Sequence, residues 1–507
     1  MKPGTCGFTK GGKMLSRANR FSFWILICSF LLTVLGCNLL TAETAPASLR
    51  AGAATSNITP WLGVSMNGGM RDRTASHVHD ELQARCLALD DGRTRIAIVA
   101  CDSCVIHREI FDAAKKIVNE NINLPIDKML MCATHTHSAP TACGIFQSEP
   151  DPEYQKFLSR KIADAVLRAF NNITPARIGW GVGKLPGHVF NRRWKMKPGK
   201  IPANPFGEKN DQVRMNPPVG SKDLVEAIGP TDPEVLVLAV QHLDGRPLGL
   251  VSNYALHYVG GTGGGHVSAD YFGIFADMIQ QRLDADRQDP PFVAMLTNGC
   301  SGDINNINFR VRSKSRPPYE QMRRVATDLA DEAYSVYQSL QYKDKVKLNV
   351  AVKTLKLGVR LPSQQDVERA KKILAEAKGP VLNTLAEIYA RETILLAEYK
   401  PEVEIILQAL QIGDLAIVGI PCEAFAQIGL EIKSKSPFNP TFIFDLANGY
   451  NGYLPTVAQH KLGGYETWRA RSSYLEVNAA PKVVDTVLDL LRENHEKSSP
   501  VAKSSGH

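Results

Sequence analysis

Several kinds of segment are missing from this 507-residue chain. After about residue 40 no run is long and apolar enough to cross a membrane, which excludes a multi-span membrane protein. No fixed-period repeat occurs, so solenoids and propellers are excluded as well. There is no G-x-S-x-G, the turn on which an α/β-hydrolase carries its serine. Only one C-x-x-C is present, Cys101-Asp102-Ser103-Cys104, so a four-cysteine zinc site cannot be assembled. No helix start accompanies it to support a thioredoxin-like role, and buried thiols at strand ends are the expectation there.

What is present begins with a leader. Lys2, Lys10, Lys13, Arg17 and Arg20 precede an apolar run from Phe21 to Cys37, and small residues follow at Thr41, Ala42 and Ala45. This is the layout of a secretory signal peptide. Cleavage near Ala42 or Ala45 is expected, with export to the periplasm or the extracellular space. Leu35-Gly36-Cys37 offers the alternative of a lipid anchor on Cys37. Cleavage would lower the formal charge from +8 to +3 or +4, which is not the balance of a nucleic-acid-binding protein. Seven cysteines would remain, an odd number that leaves at least one free thiol in an exported protein. Arg192, Arg193, Lys195, Lys197 and Lys200 lie in a Pro/Gly-rich stretch read as a solvated loop, one that would suit an acidic or membrane-bound substrate.

The rest of the chain alternates strand and helix signals. Strands are expected at Arg95–Ala100, Lys128–Ala133, Phe292–Thr297 and Thr441–Leu446, with hairpins at Glu234–Leu256 and Val403–Gly419. Helices are expected at Arg108–Asn119, Tyr154–Phe170, Phe272–Leu283, Tyr319–Leu340, Ser363–Tyr399 and Lys482–Asn494. Residues 184–229, rich in Pro, Gly, Asn and Lys, read as a functional loop region over a site. Hairpins mixed with β-α-β units predict an α/β fold with a mixed β-sheet flanked by helices. Residues 1–45 would be the leader, 46–495 a single large catalytic domain and 496–507 a disordered tail.

Chemistry-bearing residues collect just past strand ends. Thr134-His135-Thr136-His137-Ser138 follows an apolar run, and in a strand residues i and i+2 share a face. Two neighbouring imidazoles there suit metal binding or proton transfer, or are simply hydrogen-bonded histidines near a sheet edge. His257 ends Val251–His257 and meets a glycine-rich loop. Gly302-Asp303 follows the strand at Phe292, Glu423 follows Leu415–Ile420, and Tyr450 and Tyr453 follow Thr441–Leu446. In open α/β sheets such endings converge on one cleft. Taken singly, Glu423 reads as an acid near a helix start, His257 as a core-edge histidine and Tyr453 as a packed aromatic.

In this order, the His135 motif, Asn191-Arg192, the His257 strand, Gly302-Asp303, Cys422-Glu423-Ala424-Phe425 and the Tyr453 loop resemble the catalytic domain of neutral (non-lysosomal) ceramidases. The resemblance spans about Arg50 to Asn494. It implies a zinc-dependent amidase cleaving the N-acyl bond of ceramide-like lipids, with one Zn²⁺ per chain held by His135, His257, Glu423 and Tyr453. It also implies attack by a zinc-activated water, with His137 moving the proton to the departing amine and Arg192 neutralising the oxyanion. The implied partner is a small-molecule or lipid substrate, with peripheral membrane contact conceivable, no nucleic acid and no obligate protein partner. Four features depart from the family. Its Gly-Asp-x-Ser-Pro-Asn reads Gly302-Asp303-Ile304-Asn305-Asn306-Ile307, which removes a serine nucleophile there. Its Asp-Ile-Thr reads Asn57-Ile58-Thr59. Ser363–Tyr399 stands before the Glu423 hairpin, where it can reshape the cleft mouth. Finally, family members continue into an immunoglobulin-like domain where this sequence stops soon after Asn494. Without that domain a more open cleft is expected, with a weaker acyl-chain-length preference than in a dedicated ceramidase. The alternatives are a zinc hydrolase of another ester or small amide, or a non-catalytic exported protein that binds lipid or sugar.

Overall fold

Strands that are apolar on both faces need cover on both faces, and the arrangement of sheets in this computed structural model supplies it. Residues 48–312 and 316–498 are described. The leader, its cleavage sites, Cys37 and the tail from residue 499 lie outside the described residues. Eight strands form the larger sheet: β1 (Arg50–Asn57), β2 (Gln83–Asp90), β3 (Arg95–Cys101), β4 (Met129–Ala133), β5 (Thr174–Lys184), β6 (Glu234–His242), β7 (Pro247–Tyr254) and β8 (Val293–Asn298). Their spatial order is β8-β7-β6-β5-β1-β2-β3-β4. The pairs β3/β4 and β7/β8 at its two ends are parallel, and the pairs between are antiparallel.

A second sheet holds β9 (Leu348–Gly358), β10 (Glu402–Ile412), β11 (Leu415–Gly419) and β12 (Thr441–Phe444) in that order, with only β11/β12 parallel. Each parallel pair is joined by a helix, as a crossover requires. These are α1 (Arg108–Ile122), α3 (Asp270–Arg282) and α7 (Ala426–Lys435), while α2 (Pro152–Asn171), α4 (Glu320–Ser339) and α8 (Ala479–Glu496) complete the outer layers. Leu87, Ile98 and Met295 of the first sheet share a core with Leu410, Ile417 and Phe444 of the second, so the sheets pack face to face. The expected mixed sheet flanked by helices is present, and a second, smaller sheet stacks on it between the helices.

Two details differ from the sequence reading. Ser363–Tyr399 is not one helix but α5 (Gln364–Ala375) and α6 (Leu385–Leu396). Gly379-Pro380 interrupts the pattern, and each helix starts with its own capping box, Ser363/Asp366 and Thr384/Glu387. The stretch 184–229 contains a small sheet, Arg193–Met196 between Val213–Met215 and Leu224–Ala227. Among the described residues no helix is long and apolar enough to cross a membrane.

Candidate functional site

The C-terminal ends of β4, β7, β8 and β11 meet at one end of the paired sheets. β4 stops at Ala133, so the two histidines lie in the loop after the strand rather than on one of its faces. His135 adopts φ 80, a left-handed conformation that costs a non-glycine residue about 1–3 kcal/mol. Its amide donates to the Ser103 carbonyl at 2.8 Å and its Nδ1–H to the Cys104 carbonyl at 2.8 Å. His137 gives its Nδ1–H to the Gly68 carbonyl at 2.7 Å, and Tyr258 stacks on its ring at 3.6 Å between centroids. The convergence of the two imidazoles thus comes from a turned backbone and two carbonyl anchors, not from strand alternation.

His257 follows the same logic, with Nδ1 on the Ser301 carbonyl at 3.1 Å. With every Nδ1 proton committed to a carbonyl, the three Nε2 atoms are the ones left facing one another. His135 Nε2 lies 3.0 Å from His257 Nε2 and 3.2 Å from His137 Nε2. Glu423 completes the cluster: its Oε2 is 3.3 Å from His135 Nε2 and 3.7 Å from His257 Nε2. Tyr450 donates to Glu423 Oε1 at 2.9 Å, whereas Oε2 is buried without a hydrogen-bond partner. Gly302 makes room for this: its amide donates to Ala424 O, and a Cβ there would sit 2.4 Å from the Glu423 carbonyl oxygen. Glu423 and Tyr453 lie opposite each other in a short parallel bridge.

This donor set fits a metal ion. Two imidazole lone pairs at 3.0 Å and an orphaned carboxylate oxygen repel one another unless a cation or a proton lies between them. His135, His257 and Glu423 form one such group among the described residues. Cys104, His135 and His137 form another, but it lacks a carboxylate, and His135 Nδ1, 3.9 Å from the thiol, is already bonded to the Cys104 carbonyl.

The electrostatics agree. Burial opposes a charge on His135, yet the Glu423 carboxylate raises it well above the ordinary imidazole range. Burial raises Glu423 in turn, but His135 outweighs it and the carboxyl is held below its usual value. A cation bound to these atoms would displace the proton they share. Burial, then the neighbouring His135, hold His137 well below the usual range, and burial with Arg192 does the same to His257. Burial drives the Tyr453 phenol up, so it keeps its proton beside Glu423.

Arg192 is not in a solvated loop. It is buried, donates from Nε to Glu466 at 3.0 Å, and reaches Gly302 O at 2.7 Å and the Tyr453 hydroxyl at 3.1 Å through Nη2. Arg193 is fully buried on the same Glu466, and only Lys195, Lys197 and Lys200 face solvent. Asp303 is a scaffold residue, tying Asn191 (2.7 Å) to the Ala426 amide (2.9 Å) at the start of α7. Asn305 bonds Asn216 instead of lining the pocket.

Sequence reasoning missed Tyr258, whose one signal is adjacency to His257. It also missed Glu466, and the Gly68 and Cys104 carbonyls, which carry no signal at all. The pocket over the cluster measures about 150 Å³, with His137, Arg192, Tyr258, Phe146, Met215 and Tyr465 in its walls.

Known proteins are similar to this chain in sequence and in fold. The family described as neutral/alkaline non-lysosomal ceramidase, N-terminal, matches residues 50–314. Neutral ceramidase B of Dictyostelium discoideum is 22% identical over 247 residues, covering 45% of this chain and 31% of that protein's length. The chain thus spans about a third of that relative. The crystal structure of neutral ceramidase from Pseudomonas aeruginosa superposes with a TM-score of 0.68 at 17% identity, over 89% of this chain and 75% of that one. A ceramidase complexed with C2 gives 0.66 at 15% identity, over 89% and 76%. At those identities the likeness is one of fold. The family match takes in just over half of the sequence, including His135, His137, Arg192 and His257: the chain belongs to the neutral/alkaline non-lysosomal ceramidase family.

Proposed function

We propose that this protein is an exported, zinc-dependent amidohydrolase that cleaves the N-acyl amide bond of ceramide-like substrates. The single observation that carries the reading is the convergence of the buried His135 Nε2, His257 Nε2 and Glu423 Oε2, 3.0 to 3.7 Å apart. His135, His257 and Glu423 would hold the ion, with the Tyr453 hydroxyl as a fourth, weaker donor. Two imidazoles and a carboxylate leave a position open, the composition of catalytic zinc sites. Bound there, zinc supplies Lewis-acid chemistry, lowering the pKa of water and polarising the acyl carbonyl.

The chain's own groups account for the remaining steps. Water forms the new C–O bond at the acyl carbon while His137 Nε2, held neutral, accepts its proton. The tetrahedral oxyanion is opposed by the fixed charge of Arg192 and the Tyr453 hydroxyl. As the C–N bond breaks, His137 returns the proton to the departing nitrogen, leaving a carboxylic acid and an amine. Glu466 keeps Arg192 in place, and Tyr258 keeps the His137 ring edge directed into the pocket. No serine is needed as a nucleophile.

The test is metal analysis of the purified chain, with an N-acyl amide hydrolysis assay run with and without chelator. About one zinc per chain, and activity that chelation abolishes and zinc restores, are expected. A covalent acyl-enzyme on a serine or on Cys300 would contradict the mechanism.

A further inference from the structure

The carbonyl that anchors His137 belongs to Gly68, and its peptide runs from Gly68 to Gly69, two residues without a Cβ. Glycine is required at 68, where φ is +98 and a Cβ would sit 2.5 Å from the Cβ of His137. The same freedom lets a Gly–Gly peptide turn over at little cost, and its oxygen turns with it. Stacking on Tyr258 keeps the His137 ring from tilting, but a stacked ring can still rotate in its own plane. Its in-plane direction, and so the aim of Nε2, depends on where the Gly68 oxygen is held.

Arg73 supplies the hold. Asn67–Asp72 is a loop closed by the antiparallel pairs Ser65/Thr74 and Met66/Arg73, which puts Arg73 at its return end. From there a single nitrogen, Nη2, donates to the Asn67 carbonyl at 2.8 Å and to the His137 carbonyl at 2.5 Å. A guanidinium nitrogen carries two protons in one rigid plane, so it can serve two carbonyls together. The peptide just before Gly68 and the main chain of His137 are thereby tied to one planar group. Asn67 adds a second tie, accepting the Gly68 amide at 2.9 Å and donating to the Cys143 carbonyl at 2.8 Å.

Nothing else on the page employs this arginine. Among the described residues no carboxylate pairs with it, and it does not line the pocket. It is half-buried, and its Nε is buried without a partner. An orphaned donor on a cation with no counter-ion is a cost that a surface arginine would not carry.

We propose that Arg73 is a positioning residue for the hydrolysis: by clamping the Asn67 and His137 carbonyls it fixes the Gly68 oxygen that aims His137 Nε2 into the pocket. The proposal rests on the amide-hydrolysing reading above. The experiment is a double-mutant cycle on the zinc-loaded protein, reading zinc content, kcat and KM for N-acyl amide hydrolysis. Arg73→Met should keep its zinc, hold KM within about twofold and lose about 10–100-fold in kcat, the scale of a small misplacement of a reacting group. Added to His137→Ala, it should cost less than about twofold, because the group it aims is gone. Arg73→Lys, which keeps a donor without the planar fork, should lie between wild type and Arg73→Met in kcat. An unchanged kcat, equal losses in the two backgrounds, or loss of zinc would overturn the proposal. Should Arg73→Met fail to fold, the same cycle with Arg73→Lys decides. If no amide is cleaved, the hydrolytic reading fails, and NMR of protein labelled with ¹⁵N-histidine still decides the clamp. The Nδ1 proton of His137, identified by its absence from His137→Ala, should exchange with water about tenfold faster or more in Arg73→Met, with those of His135 and His257 unchanged. An unchanged His137 proton would overturn the clamp.

Discussion

His135, His137 and His257 each give a ring proton to a main-chain carbonyl, so the floor of the site is fixed by backbone atoms of the loops that leave the sheets. The far wall is fixed differently. Phe146 and Tyr465 are held by rings and arginines braced on the one helix α6. Backbone anchoring allows little change without unfolding a strand end, because an orphaned buried carbonyl or imidazole costs about 1–3 kcal/mol. Side-chain bracing can be altered one residue at a time. The comparison teaches that the groups proposed to react are anchored to main-chain atoms while the wall is held by side chains, so substitutions in the two should have separable effects.

The largest effects belong to the floor. Glu423→Ala and His257→Ala should each lose bound metal and reduce hydrolysis to background, read by metal content and kcat/KM together. Retention of full metal occupancy by either variant would break the ligand assignment. His137→Ala should keep the metal and lose about two to four orders of magnitude in kcat. Because burial and His135 push the His137 imidazole down, activity should be present above, and lost as pH falls through, a value below the ordinary histidine pKa of about 6.5. If His137→Ala empties the site and His135→Ala does not, the two histidines exchange roles.

A smaller effect sharpens the line between ligand and support. Tyr450→Phe removes the donor to Glu423 Oε1 and should weaken metal affinity by about 10–100-fold while leaving the ligands in place. The smallest expected effect is at Ser301, whose carbonyl, not its hydroxyl, holds His257. Ser301→Ala loses the hydroxyl's bond to Asn298, so stability should fall by about 1 kcal/mol with kcat/KM unchanged.

Much of this was legible in the sequence where one residue type carries one physical meaning. Apolar runs such as Arg95–Ala100 and Phe292–Thr297 gave strands close to their observed bounds, and polar residues past those runs pointed to the cleft. β1 was not legible: Arg50–Asn57 is Ala/Gly/Ser/Thr-rich and lacks apolar alternation, because α2 lies so close that a Cβ on Gly52 would sit 2.1 Å from the Ala169 carbonyl oxygen. β9 was hidden by Lys353 and Lys356, which face solvent on an edge strand. Arg192 and Arg193 read as a solvated run because their partner, Glu466, lies more than 270 residues away. Main-chain anchors such as Gly68 O leave no mark on composition or spacing.

The account's central claim is that one metal ion sits between His135, His257 and Glu423. Anomalous scattering at the zinc edge from crystals of the purified protein tests it most directly. A single strong peak is predicted within bonding reach of His135 Nε2, His257 Nε2 and Glu423 Oε2. A peak beside the Cys104 thiol between His135 and His137, or no peak in a protein that hydrolyses amides, would contradict it.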